Sequence, residues 1–186
     1  MTTLILAEKP SQAMDYAKAL GIKQKHNGYI ELESDIVGNA IVTWALGHLV
    51  EMKAPNDYST SVNTWQLDNL PFFPKQYEYN VAKGKQSQFN IVKKLINQSD
   101  KLINATDYGR EGSNIFYSIL RLSGAKNKEI LRYANSSLVH EDIRKKFKQL
   151  DNNQVDLNMY KEANARQISD WLVGMNLTSL LSLIHI

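Results

Sequence analysis

Acidic side chains and an arginine stand together where an apolar run of this chain gives way to a glycine-containing turn. The stretch from Asn104 to Gly112 follows that run and contains Asp107, Arg110 and Glu111. If the run is a strand of a parallel sheet, these side chains lie at its carboxyl edge, where open α/β sheets hold ligands. An acid in the first turn of a helix is also favoured by the helix dipole. The whole set after a buried strand nevertheless predicts a site suited to Mg²⁺ and phosphodiester chemistry.

A second acidic position follows the first apolar run. Leu4 to Ala7 is predicted to be a buried strand, and Glu8 and Lys9 come directly after it. If the two strands are neighbours, Glu8 reaches the same sheet edge as Asp107, where it could bind a metal or act as a general acid or base. Lys9 could neutralise a phosphate oxygen. On their own, these two residues are more often a solvated strand-end pair.

Three further polar residues have a structural interpretation beside the functional one. His48 is a lone histidine after a strand-like segment, and such a histidine is more often structural than catalytic. Arg166 and Asp170 are four residues apart on a predicted helix, so an intrahelical ion pair is their simplest interpretation.

The elements that must position these residues alternate between strand-like and helix-like patterns. This alternation predicts an α/β fold with a mainly parallel sheet flanked by helices. The predicted strands are 4–7, 101–106 and 129–133, with a hairpin formed by 29–32 and 39–44. The predicted helices are 12–20, 85–97, 112–122, 140–150 and 157–175. Residues 53–82 contain three prolines and are predicted to be irregular.

Composition excludes several classes of protein. The 186 residues suffice for one sizeable core, or for one domain and part of a second. The sequence shows no transmembrane run and no signal peptide, which predicts no membrane partner and a cytoplasmic location. The absence of cysteine excludes disulfides and thiolate metal sites. A net charge of +3 permits a polyanionic partner but is too small to argue for one.

Four motifs, taken in order along nearly the whole chain, resemble bacterial DNA topoisomerase III, a family of type IA topoisomerases. The motifs are Glu8-Lys9-Pro10-Ser11, Gly47-His48-Leu49, Thr106-Asp107-x-x-Arg110-Glu111-Gly112 and the stretch from Ala165 to Asn176. The resemblance implies a Toprim domain, which is Rossmann-like, in residues 1–150. It implies the start of a helical, DNA-gripping domain in residues 154–186.

The resemblance also implies an activity and residue roles. A type IA topoisomerase passes single DNA strands through a transient 5′-phosphotyrosyl break, with Mg²⁺ as cofactor and DNA, preferentially single-stranded, as partner. The implied catalytic residues are Glu8 and Lys9, and the implied metal ligands are Glu8, Asp107 and Glu111. The implied DNA-binding residues are Lys9, His48, Arg110, Arg166 and Asp170. None of the nine tyrosines has the context of the family's nucleophile, so the isolated chain is expected to be inactive.

Two departures from the family pattern modify these expectations. The acidic motif of the family usually reads Asp-x-Asp-x-Glu, whereas Gly109 stands at the second Asp and Ser113 stands where a further acid is common. Loss of a carboxylate is expected to weaken Mg²⁺ binding. The substitution Gly109→Asp in a full-length enzyme is therefore predicted to lower the Mg²⁺ needed for relaxation. Separately, residues 181–186 match the translation of a common sequencing adaptor, which predicts a truncated reading frame.

Two other functions stay open on the same scaffold. A Toprim nuclease or primase would act without a tyrosine, although residues 162–176 argue against it. A degenerate nucleic-acid-binding module is suggested by Gly109 and Ser113. Metal-dependent nicking would favour the first alternative, and salt-dependent binding without a Mg²⁺ effect would favour the second.

Overall fold

The computed structural model describes residues 2–58, 66–134 and 137–184. Strands and helices alternate through most of these ranges. The strands are β1 (Thr3–Ala7), β2 (Ile22–His26), β3 (Tyr29–Ser34), β4 (Gly38–Trp44), β5 (Val50–Met52), β6 (Tyr79–Val81), β7 (Lys101–Ala105), β8 (Glu129–Arg132) and β9 (Asp151–Asn152). The helices are α1 (Pro10–Leu20), α2 (Gln86–Gln98), α3 (Arg110–Ser123), α4 (His140–Phe147) and α5 (Gln154–Ile184).

A seven-stranded sheet in the order β2-β3-β4-β1-β7-β8-β9 forms the centre of the fold. The four middle strands are parallel, because β1 pairs with both β4 and β7, and β7 pairs with β8. Antiparallel strands complete the two edges. The predicted α/β fold with a parallel sheet flanked by helices is therefore confirmed.

Two hydrophobic cores cover the two faces of this sheet. Successive side chains of a strand point to opposite faces, and β1 is buried on both. Ile5 and Ala7 pack in one cluster with residues of α1 and α4. Leu4 and Leu6 pack in the other with residues of α2 and α3. With helices on both faces, the carboxyl ends of the parallel strands are left together at one open edge.

Several elements differ from the sequence-based expectation. β2 is mostly exposed and lacks apolar alternation, so no periodic signal marks it. β5 pairs with β6, and β6 lies inside the stretch predicted to be irregular. α5 runs from Gln154 to Ile184, well beyond the predicted end at residue 175, because no glycine or proline follows to stop it. Residues 185 and 186 of the adaptor-like tail lie outside the described residues.

The long helix α5 is held against the rest of the chain along its length. The side chain of Asn176 accepts a hydrogen bond from the backbone N–H of Phe72 (2.6 Å) and donates one to its carbonyl oxygen (3.1 Å). Trp171 packs against Phe72 and Tyr77, with ring centroids 6.1 and 6.0 Å away. Nearer the start of α5, Tyr160 stacks on a tyrosine of α3. Within the described part of the chain, no helix is long and apolar enough to cross a membrane.

Candidate functional site

The turn between β7 and α3 has a backbone that two glycines make possible. Gly109 has φ = +148°, a conformation that residues with a side chain rarely adopt. A Cβ at Gly112 would overlap the carbonyl oxygen of Asp107 and would lie 2.9 Å from Oγ1 of Thr106. The chain therefore turns back tightly on itself between the end of the strand and the first turn of the helix.

A buried arginine from the next strand clamps this turn. Arg132 is 1% exposed, and its Nη2 donates hydrogen bonds to the carbonyl oxygens of both Thr106 (3.0 Å) and Asp107 (2.9 Å). A further bond reaches the hydroxyl of Thr106 at 3.2 Å. Burial lowers the pKa of Arg132, while the carboxylate of Asp156 acts in the opposite direction. Arg132 was not among the predicted site residues, because nothing in the short strand predicted at 129–133 marks its charge as buried.

Asp156, in the first turn of α5, completes the clamp from the other side. Its carboxylate is 1% exposed and lies 3.6 Å from Nε of Arg132. It also accepts hydrogen bonds from the side chains of Asn104 and Ser113. Ser113 stands where the family pattern often has an acid, and here its hydroxyl is a donor to a buried carboxylate. The buried group formed by Asn104, Ser113, Arg132 and Asp156, hereafter the polar clamp, thus joins α5 to the acidic turn.

Glu8 and Asp107 meet because their strands are neighbours. Ala7 at the end of β1 is in register with Ala105 at the end of β7. The Glu8 carboxylate accepts the backbone N–H of Asp107 at 3.2 Å. Gln12 links the same two residues, since its amide nitrogen donates to Oδ1 of Asp107 and its amide oxygen accepts the backbone N–H of Glu8, both at 2.9 Å.

Lys9 lies between the two carboxylates. Its Nζ is 3.9 Å from Oε1 of Glu8 and 3.6 Å from Oδ2 of Asp107. Glu8 is only 7% exposed. Burial raises the pKa of Glu8 most strongly, and the Asp107 and Glu111 carboxylates raise it further, against the lowering effect of the Asp107 N–H and of Lys9. Glu8 therefore holds a proton more readily than an ordinary glutamate does.

An open cleft of about 740 Å³ separates the acidic turn from α5. His48 faces Glu111, with Nε2 and Oε1 3.5 Å apart. Arg110 donates to the Glu162 carboxylate of α5 at 2.6 Å. The predicted site residues that line the cleft are His48, Asp107, Arg110, Glu111, Arg166 and Asp170. Glu8 and Lys9 do not line it and lie beside Asp107.

Arg166 and Asp170 also form the ion pair that their spacing predicts. Nε of Arg166 lies 3.6 Å from Oδ2 of Asp170, and both side chains are about three-quarters exposed, at 75% and 73%. Such an exposed pair is weak, because water screens it. Arg166 is therefore available to a ligand in the cleft.

A sequence profile of the Toprim domain matches residues 3–150. The chain belongs to the Toprim family. Curated relatives of this Toprim chain are named DNA topoisomerase 3. That of Staphylococcus epidermidis is 45% identical over 184 residues, which are 98% of this chain and 25% of the relative. That of Shouchella clausii is 42% identical over 184 residues, which are 97% and 24% of the two chains. The resemblance to topoisomerase III is confirmed, and the chain spans about a quarter of these relatives.

A structural comparison supports the same fold. The Toprim chain is similar to full-length topoisomerase I from Thermotoga maritima, with a TM-score of 0.55 and 22% sequence identity. The match covers 91% of this chain and 24% of that one. At this identity the likeness concerns the fold alone.

The residues present fit a hard divalent cation of the kind on which Toprim topoisomerases depend. Glu8, Asp107 and Glu111 offer carboxylate oxygens, the ligands that hard cations prefer, and the ammonium of Lys9 already marks a position for positive charge between two of them. Among residues 2–58, 66–134 and 137–184, no three acidic or histidine side chains converge as a ready metal-binding group. The fit therefore rests on the carboxylates of Glu8 and Asp107, with that of Glu111 near enough to raise the pKa of Glu8.

Proposed function

We propose that this chain is the amino-terminal part of a type IA DNA topoisomerase. Residues 1–150 would form the Toprim domain and residues 154–186 the start of a DNA-gripping helical domain. The observation that carries the proposal is the meeting of Glu8, Lys9 and Asp107 at one sheet edge, beside a cleft whose far wall carries Arg166. Because the chain spans about a quarter of its relatives, DNA relaxation is proposed for the whole protein.

The cofactor proposed for this edge is Mg²⁺, held by Glu8, Asp107 and Glu111. Mg²⁺ is commonly bound through one or two carboxylates, with water and substrate phosphate as the remaining ligands. When bound, it neutralises charge on phosphate oxygens during transfer of the phosphodiester. Burial raises the pKa of Glu8, so metal binding competes with a proton there and should tighten as pH rises.

Glu8 and Lys9 are the proposed catalytic residues. The protonated form of Glu8 is favoured by its burial, so Glu8 can give a proton to the oxygen that leaves during cleavage and recover it on resealing. Lys9 projects between two carboxylates and is 59% exposed at its side chain, so it can reach a phosphate oxygen without leaving the site. Its ammonium would offset the charge of that phosphate.

The cleft is the proposed path of the DNA. Arg110 and Arg166 would contact phosphates, with His48 and Asp170 beside them. The proposed partner is DNA, preferentially single-stranded, and the proposed location is the cytoplasm. A nucleic-acid-binding module that has lost its chemistry is the competing proposal, because Gly109 leaves one carboxylate fewer than the family motif.

A chimera tests the proposal. The matched quarter of the Staphylococcus epidermidis DNA topoisomerase 3 is replaced by this chain, and relaxation of a negatively supercoiled plasmid is measured with Mg²⁺. We expect the chimera to relax the plasmid and Glu8→Ala to abolish relaxation. Glu129→Gln should leave relaxation unchanged, because Glu129 is the first residue of β8 and pairs with Lys101 at the opposite edge of the sheet. Full relaxation by the Glu8→Ala chimera would overturn the assigned role.

Calorimetry on the 186-residue chain provides a second measurement that does not need the chimera to fold. We expect Mg²⁺ binding that Glu8→Ala weakens and Glu129→Gln leaves unchanged. Single-strand binding by a chain that shows no Mg²⁺ binding would favour the module without chemistry. Mg²⁺-dependent nicking by the isolated chain would favour a Toprim nuclease.

A further inference from the structure

An aromatic side chain projects from the acidic turn into open space. Tyr108 lies between Asp107 and Gly109, and it is 54% exposed. Its ring lines the cleft and also a neighbouring cavity of about 250 Å³ that is lined by Arg132 and Asp156. A large apolar ring at the surface of a charged site is not explained by core packing or by metal binding.

The ring is supported from within the protein. Cζ of Arg132 lies 5.4 Å from the centroid of the Tyr108 ring, within the range of a cation–π contact. Arg132 is itself fixed by its hydrogen bonds to the turn. In the described part of the chain, the Tyr108 hydroxyl has no hydrogen-bond partner. The contact with Arg132, and not a hydrogen bond of the hydroxyl, therefore positions the Tyr108 ring. Because the ring is already positioned, little conformational freedom is lost when a ligand covers it.

Charge around the ring indicates which part of a nucleic acid it would meet. The neighbouring carboxylates of Asp107 and Glu111 repel a phosphate that lacks a bound cation, whereas Arg110 and Arg166 elsewhere in the cleft attract phosphates. A neutral, flat nucleobase suits the position of Tyr108. Bases of a duplex are already stacked and paired, so only an unpaired base can lie on the ring.

We propose that Tyr108 is a stacking platform for one nucleobase of single-stranded DNA in the cleft. This inference deepens the proposed function and rests on it. Stacking of a base on an aromatic side chain tolerates any base, because every base has a π-face. The platform would give the site a preference for unpaired DNA without a preference for sequence.

The test compares two labelled oligonucleotides of equal length and charge, an oligothymidylate and an abasic strand, by fluorescence anisotropy with the 186-residue chain. We expect Tyr108→Ala to weaken oligothymidylate binding roughly 5- to 150-fold, the range that loss of one stacked base gives. Abasic binding should not change. Tyr108→Phe should bind both strands like the unaltered chain, because it keeps the ring.

Each other outcome has a defined meaning. Equal oligothymidylate binding by Tyr108→Ala, or an equal loss for both strands, would overturn the platform. Arg166→Ala serves as the matched variant for phosphate contacts and should weaken both strands alike, with a smaller salt dependence. If the unaltered chain binds neither strand, the proposed DNA path fails and the platform with it. If Arg166→Ala acts as expected and Tyr108→Ala does not, only the platform fails.

Discussion

The substitution Asp156→Ala should unfold this chain more easily than any change at its exposed ion pairs. Asp156 and Arg132 are 1% and 2% exposed at their side chains. Removing one partner of a buried pair leaves the other charge buried and unpaired, which costs about 3–5 kcal/mol. The donors of Asn104 and Ser113 also lose their acceptor, so the upper part of that range applies. Such a loss is a large fraction of the stability of an ordinary domain.

Urea unfolding followed by circular dichroism measures this effect. With a slope of about 2 kcal/mol per molar urea, a loss of about 4 kcal/mol moves the midpoint down by about 2 M. Asp170→Ala is the matched control on the same helix, because its partner Arg166 is also 3.6 Å away but the pair is about three-quarters exposed, at 75% and 73%. It should cost less than about 1 kcal/mol.

A companion double substitution separates the lost pair from a simple loss of packing. Arg132→Met with Asp156→Leu removes both charges and keeps apolar volume, so it should recover the part of the loss that the unpaired charge of Arg132 causes. It should not recover the rest, because the carbonyl oxygens of Thr106 and Asp107 lose their donor. A decrease of less than about 1 kcal/mol in the free energy of unfolding of Asp156→Ala would refute the reasoning, since removing a buried and paired carboxylate should destabilise the fold by more than that.

Four other substitutions, two of them paired with a control variant, test the acidic turn and the residues beside it. Gly112→Ala should lower the melting temperature, because the added Cβ would overlap the backbone of Asp107. Gly174→Ala is its control on a helix, where no atom lies within 4 Å of the added Cβ, and it should raise stability by about 0.5–1 kcal/mol. The opposite order of melting temperatures would contradict the close packing at Gly112. Because burial raises the pKa of Glu8, folding takes up a proton and stability falls as pH rises from the ordinary value of 4.5 through the raised one. Glu8→Gln should therefore be more stable than the unaltered chain at pH 7, and urea titrations should show no such gain below pH 4.5. Gln12→Ala should weaken Mg²⁺ binding in calorimetry, since it frees the carboxylate that it holds at 2.9 Å, and an unchanged affinity would dismiss this positioning role. Gly109→Asp should lower the Mg²⁺ concentration that the chimera needs for relaxation. Without metal it should lose about 1–3 kcal/mol of stability, because the φ of +148° at position 109 suits glycine. A Mg²⁺ requirement no lower than that of Gly109→Ala would refute the predicted gain in metal binding.

The parallel centre of the sheet could be predicted because its signals are local. β1 and β7 contain short apolar runs, each is followed within two residues by an acid, and a helical pattern comes next. Their adjacency was only a condition in the sequence analysis, yet it decides whether Glu8 meets Asp107. The register of Ala7 with Ala105 fulfils that condition.

The polar clamp could not be predicted, because its members are separated along the chain and look like ordinary polar residues. Arg132 ends a strand and Asp156 begins a helix, and nothing local tells a buried pair from two solvated charges. The edge strands β2 and β9 were missed for a related reason. Both are mostly exposed, so neighbouring strands rather than apolar periodicity define them.

Each of the two departures from the family's acidic motif has a physical explanation in the structure. Ser113 gives a hydroxyl to the buried carboxylate of Asp156, where a second carboxylate would add a buried like charge. Gly109 gives the turn a backbone conformation that a side chain would strain. The turn therefore has a buried carboxylate on its inner side, that of Asp156 paired with Arg132, and no carboxylate at Gly109 on the side that lines the cleft. Asp107 and Glu111 remain at the cleft beside the exposed ring of Tyr108, so the proposed function predicts a weaker attraction for a cation at this turn together with contact to an unpaired base.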